Sequence, residues 1–243
     1  MKKYIGQQVR KLLTAFLLVP ALASAADGHS IALQGGGNQA AMPCVACHGE
    51  GLRGNPELVA PRIAGLPEDY IAKQLRDFNA GSRHNEQMQA VARALTQDEI
   101  AAVAKDFSVL PKVNVLADMP LRPAPDTAAW LDMRGAWERN IPPCTSCHGS
   151  NGMGIGNAFP PLAGQSAAYL KAQLHAFKNA AKNEKPNRKK QMAAATKRLN
   201  DPNGLMRHIA ASLTDAEIKM LAEYFSAWAV SDEPIAPNRV FLK

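Results

Sequence analysis

No stretch of the 243-residue chain supplies the run of about 20 apolar residues that a membrane-spanning helix needs. The longest, Leu12 to Ala23, is about 12 residues and is broken by Pro20. Alternation of apolar and polar residues over strand lengths is also missing, which argues against a sheet fold. Cysteine is scarce, four in all, enough for two disulfides at most. Positive charge looks more plentiful, at a formal +7, but residues 1–25 hold four of the 28 Lys+Arg and none of the 21 Asp+Glu. Without them the excess falls to +3, split into −3 for residues 26–128 and +6 for residues 129–243. So small and uneven an excess does not point to nucleic acid.

What is present begins with those first residues. Lys2, Lys3, Arg10 and Lys11 precede the short apolar run, and Ala23-Ser24-Ala25 has the small-residue pattern of a cleavage site. Residues 1–25 are therefore expected to be a secretory signal peptide, which places the mature protein in the periplasm.

The remainder is a tandem repeat. "APRIAGLPEDYIAKQLRDFNAG" (60–81) aligns with "FPPLAGQSAAYLKAQLHAFKNA" (159–180), and "MQAVARALTQDEIAAVAKDF" (88–107) with "MRHIAASLTDAEIKMLAEYF" (206–225). Between the repeats runs "SVLPKVNVLADMPLRPAPDT", proline-rich and aperiodic, which reads as a linker. The expected organisation is a signal at 1–25, a first domain at 26–109, a linker at 110–127 and a second domain at 128–243. Each half is helical in pattern. Tyr70, Ile71, Leu75 and Phe78 share one helix face, stopped by Gly81, and Tyr169, Leu170, Leu174 and Phe177 share another, capped by Ser166. Thr96 to Glu99 and Thr214 to Glu217 have capping-box spacing. The fold class is all-α.

The four cysteines fall into "CVACH" at 44–48 and "CTSCH" at 144–148. Disulfide or dithiol chemistry, a shared four-cysteine zinc site and c-type haem attachment all use Cys-x-x-Cys. Only the last requires a histidine directly behind the second cysteine, and the chain places two of its six histidines there. Cys44 and Cys47, then Cys144 and Cys147, are thus expected to bind two covalent haem c groups through their vinyl positions, with His48 and His148 as axial iron ligands. A ligating imidazole ordinarily donates its other N–H to a fixed acceptor, and the carbonyls of Pro61 and Pro160 are the candidates. For the opposite face of each iron the repeat register selects Met88 and Met206, each eight residues before its capping threonine. Met192, inside an 18-residue insertion of the second repeat, competes with Met206. His84 and His208 lie near the same places but lack matching histidines in the other repeat.

These residues carry a resemblance. CxxCH, "P-x-L/I-A-G", "Y-x-x-x-Q-L-x-x-F" and "M-x-x-x-A-x-x-L-T-x-x-E-I", each present twice, resemble two class I cytochrome c domains in tandem, as in the diheme cytochrome c4 family; the likeness spans about residues 40–110 and 130–229. The resemblance implies two small helical domains related by a pseudo-twofold, each built around one haem with His/Met ligation. It also implies an electron-transfer protein, not an enzyme, shuttling electrons between respiratory-chain components. The partners it implies are redox proteins: a membrane-bound respiratory complex, a terminal oxidase or a dehydrogenase, with peripheral membrane association allowed and no nucleic acid. The alternative is a cytochrome subunit or diheme oxidoreductase acting on a small substrate, which needs an open axial position. The basic residues from Lys178 to Arg207 read as a patch flanking the second haem that steers an acidic partner.

Overall fold

The computed structural model describes residues 27–115, 122–181, 197–228 and 230–231. The expected signal peptide, Met192 and the central part of the basic insertion lie outside them.

Each repeat folds as the same five helices. In the first half these are α1 (Gly28–Gln34), α2 (Val45–His48), α3 (Glu68–Ala80), α4 (Glu86–Ala94) and α5 (Gln97–Ser108). In the second they are α6 (Ala128–Arg134), α7 (Thr145–His148), α8 (Ala167–Ala181), α9 (Leu205–Ser212) and α10 (Asp215–Ser226). Local chemistry sets their ends. Asp27 accepts from the amides of His29 and Ser30 to start α1, and Thr127 accepts from Trp130 to start α6. Gly81 closes α3 in the left-handed conformation at φ 80°. Thr96/Glu99 and Thr214/Glu217 form complete reciprocal capping boxes. Ser166 accepts from the Tyr169 amide at 3.2 Å.

In both halves the last helix is the keystone: α5 packs on α1 and α3, and α10 packs on α6 and α8. Ile100 and Val103 on α5, and Ile218 and Leu221 on α10, are almost wholly buried. Each such side chain contributes about 1.5–3 kcal/mol of burial. Two separate apolar clusters result, Ile31 to Phe107 and Val113 to Trp228. Val113, in the stretch read as linker, belongs to the second. Just beyond it, β1 (Asn114–Val115) pairs antiparallel with β2 (Val230–Ser231). These two-residue strands are too short to show an alternation, so the sequence carries no trace of them.

The halves are joined by polar contacts. Gln165 receives the Arg62 amide at 3.1 Å and donates to the Arg62 carbonyl at 2.6 Å. Residues just after α3 meet residues just before α9: the His84 amide donates to Lys197 O at 3.1 Å, and the Leu199 amide to Ser82 O at 2.9 Å, on either side of an Arg83–Arg198 bridge.

Candidate functional site

The Cys-x-x-Cys-His segments form one helical turn each, with Cys44 and Cys144 at the N-caps of α2 and α7. The turn brings both cysteines and the histidine of a motif to one locus. Gly49 and Gly149 then reverse the chain at φ 75° and 74°. A side chain there would be strained by that backbone and would press on a carbonyl, Gly54 O at 3.0 Å or Gly154 O at 2.7 Å. These carbonyls cannot retreat, because the Gly54 amide donates to His48 O and the Gly154 amide to His148 O, at 2.8 and 2.6 Å.

The two imidazoles are buried, and each is held by its Nδ1, 2.8 Å from the Pro61 carbonyl for His48 and 2.8 Å from the Pro160 carbonyl for His148. A carbonyl only accepts, so Nδ1 carries the proton and Nε2 presents its lone pair. Burial pulls both pKa values below the ordinary histidine value, against the opposite pull of the carbonyl bond, and favours the neutral ring that a metal requires. The arrangement expected from the sequence is present in both repeats.

The competing cysteine chemistries fare worse. All four cysteines are free, which leaves no disulfide among them. Burial pushes the Cys44 thiol up to about 11 and the Cys144 thiol up to about 12, the reverse of an activated dithiol. Among the described residues no three His, Cys, Asp or Glu converge as a metal cluster, so the motifs do not share a four-cysteine zinc site.

Met88 lies in the first turn of α4, where its amide is capped by Asn85 at 2.9 Å, and Met206 lies in the first turn of α9. Both are partly buried. One turn further along the same faces, Ala92 and Ala210 are fully buried, and Val91 and Ile209 pack on the two cores. The spacing of three and four residues puts each methionine on the same helix face as these buried residues. His208 is exposed, and the His84 backbone is engaged in the contact between the halves.

The donor set fits a c-type haem: two thiols and a fixed neutral imidazole in one turn of each repeat. Such a haem supplies one-electron chemistry when bound. The chain's own residues fix the imidazole and wall the site with apolar side chains.

Three features escaped the sequence reading. Arg198, counted there in an exposed basic patch, is buried at 8% exposure. Arg83 is buried with it at 6%, and Gln74, on the inner face of α3, at 8%. Beside Cys144, Asp132 is fully buried, with one oxygen accepting from the Tyr224 hydroxyl at 3.2 Å and the other without a partner among the described residues. Burial raises its carboxyl to about 6. Ala32 stands at the equivalent place in the first repeat, so the two sites are not electrostatic copies.

Comparison with known proteins agrees with this construction. The cytochrome c family model matches residues 142–227. A thiosulfate dehydrogenase electron acceptor from Stutzerimonas stutzeri (strain A1501) is 45% identical over 87% of this chain and 91% of its own length. A cytochrome c4 from Thiocapsa roseopersicina is 36% identical over 82% of this chain and 96% of its own length. Among solved structures, the thiosulfate dehydrogenase of Marichromatium purpuratum superposes with a TM-score of 0.64 at 34% identity, covering 83% of this chain, which spans only 40% of that longer protein. The chain is therefore a diheme electron-transfer protein with two covalently bound haem c groups, and it belongs to the cytochrome c4 family.

Proposed function

We propose that the protein is a periplasmic carrier that accepts electrons from a thiosulfate dehydrogenase and passes them toward a terminal oxidase of the respiratory chain. The haems are attached at Cys44/Cys47 and Cys144/Cys147, with His48 and Met88 on one iron and His148 and Met206 on the other. The observation that carries this reading is a duplication: the same buried histidine on the same proline carbonyl, with a partly buried methionine at the same register, occurs in both repeats. A methionine on each iron leaves neither site open to a substrate, so the protein does no chemistry beyond electron transfer. The donor is suggested by the Stutzerimonas relative, whose name makes it the electron acceptor of such an enzyme.

A second reading, a cytochrome part of a thiosulfate-oxidising enzyme, is favoured by the likeness to the longer Marichromatium protein. Mixing the oxidised holoprotein with thiosulfate, with and without a purified thiosulfate dehydrogenase, separates the two. Rapid haem reduction only with the dehydrogenase is the expected result. Reduction by thiosulfate alone assigns the enzymatic role, and no reduction in either mixture removes thiosulfate dehydrogenase as the donor.

A further inference from the structure

The second repeat encloses a carboxyl group that the first lacks. Asp132 is fully buried on α6, where that helix packs on α10. Two bonds fasten this part of α6 to the haem motif: the Cys144 thiol donates to Leu131 O at 3.9 Å, and the Thr145 hydroxyl to Asp132 O at 3.0 Å. The carboxyl is thereby held beside the cysteine that carries the second haem. Its Oδ2 accepts from the Tyr224 hydroxyl at 3.2 Å, and its Oδ1 has no partner among the described residues. Tyr224 is walled in turn by Phe225 and Trp228, edge-on at 5.1 and 5.5 Å. In the first repeat Ala32 stands in place of Asp132 and Asp106 in place of Tyr224. Asp106 is only half-buried and accepts from the His29 amide at 3.0 Å.

Few groups act on the Asp132 carboxyl. From α10 it meets Tyr224, whose hydroxyl is pushed up by burial and by the facing carboxylate and so stays a neutral donor. From the start of α7 it meets Cys144, whose thiol ceases to titrate once it becomes a thioether. On α6 itself Arg134 is exposed, and among the described residues no cation offsets the burial of Asp132. One hydrogen bond does not compensate the desolvation of an ionised carboxylate. Burial, opposed only by the Tyr224 bond, therefore brings this carboxyl to about 6, where a change of one charge nearby moves a proton on or off it.

We infer that Asp132 is the proton acceptor coupled to reduction of the second haem: it is ionised beside ferric iron and protonated beside ferrous iron, which makes the potential of that haem alone depend on this group and hence on pH. The step balances. The iron gains one electron from the one-electron donor, Asp132 gains one proton from water, and the net charge of the buried site stays the same. Asp132 is a positioning residue that acts through its field, not a ligand. The inference rests on haem attachment at Cys144 and Cys147 and is independent of which protein supplies the electron. Its consequence is directional: acidification favours electron entry at the second haem over the first.

The test measures both haem potentials of the holoprotein by spectroelectrochemistry from pH 5 to 8, in wild type, Asp132→Asn and Tyr224→Phe, after the pyridine haemochrome has given the haem content. Fewer than two haems in the wild type would overturn the haem reading itself and the inference with it. With two haems present, one potential should fall as pH rises, its ferrous/ferric equilibrium moving about tenfold toward ferric across the range, 59 mV for a one-electron couple. Asp132→Asn should hold that potential near its acid value at every pH and leave the other haem unaltered. Tyr224→Phe deletes the bond that favours the ionised carboxyl, so the pH dependence should persist with its midpoint moved upward. A dependence that survives Asp132→Asn belongs to the carboxylates of the haem and overturns the inference, as do wild-type potentials that do not vary with pH. Should Asp132→Asn not fold, infrared redox-difference spectra of the wild type carrying isotope-labelled aspartate decide: a label-shifted carboxylic acid band that grows on reduction near neutral pH supports the coupling, and its absence contradicts it.

Discussion

Met206 and Met192 show how far one residue's surroundings carry an assignment. Met206 sits one turn before the fully buried Ala210, as Met88 sits one turn before Ala92, and this shared face makes the pair more than core filler. Met192 has no counterpart in the first repeat. Met206→Leu is therefore expected to remove the methionine-to-iron charge-transfer band of one haem and lower its potential, while Met192→Leu leaves band and potential intact. A spectrum unchanged by Met206→Leu but altered by Met192→Leu would reverse the alignment through the insertion.

Between helices, the two capping boxes are the same device with different attachments. Glu99 in α5 accepts from the Gly37 amide at 2.7 Å, whereas Glu217 in α10 receives Arg139 through two bonds of 2.7 and 3.0 Å. The second pairing fastens the segment before the haem motif to the keystone helix. The Arg139 bond is the main reason the Glu217 carboxyl is held down at about 2. A folded pKa below the unfolded value gives stability that is full above about pH 4.5 and is lost as pH falls toward 2. Solvent screening at this partly exposed pair reduces the contribution to about 1–2 kcal/mol. Glu217→Gln keeps a capping side chain but loses the charge. Its thermal midpoint should lie below wild type at pH 7 and converge with it near pH 2; a deficit constant with pH would mean that packing, not the ion pair, is lost.

At the scale of the whole molecule, the structure divides the basic run of the second repeat into two populations. Arg198 is buried between the halves, Lys178 is bonded to Leu213 O at 2.7 Å and Asp215 at 2.9 Å, and Arg207 is set against Asp201. These cations hold the fold together. Steering of a partner, if the run does it, falls mainly to Lys182, Lys185, Arg188, Lys189 and Lys190, outside the described residues. Replacing Lys185, Arg188, Lys189 and Lys190 with Gln is expected to slow reduction by the partner at low salt, with rates converging at high salt and haem potentials unaltered. Equal rates at every ionic strength would reduce the insertion to a solvated loop.

Much of each site was legible in the chain itself because its determinants are local: Cys-x-x-Cys-His fits within one helical turn, the capping boxes span four residues, and the repeat register nominates Met88 and Met206 for the second axial position. Even the proline carbonyls behind the histidines could be named, since a histidine ligand needs a fixed acceptor and each repeat offers a proline at the same place. Side chains whose role depends on contacts between the halves were not legible. Arg83 and Arg198 are 115 positions apart and look like ordinary surface charges until the halves meet. Gln74 reads as the polar side of an amphipathic helix, and nothing local marks Asp132 as buried. Local periodicity reports which residues face their own core; which polar residues are buried against another domain is decided only when the two cores pack together.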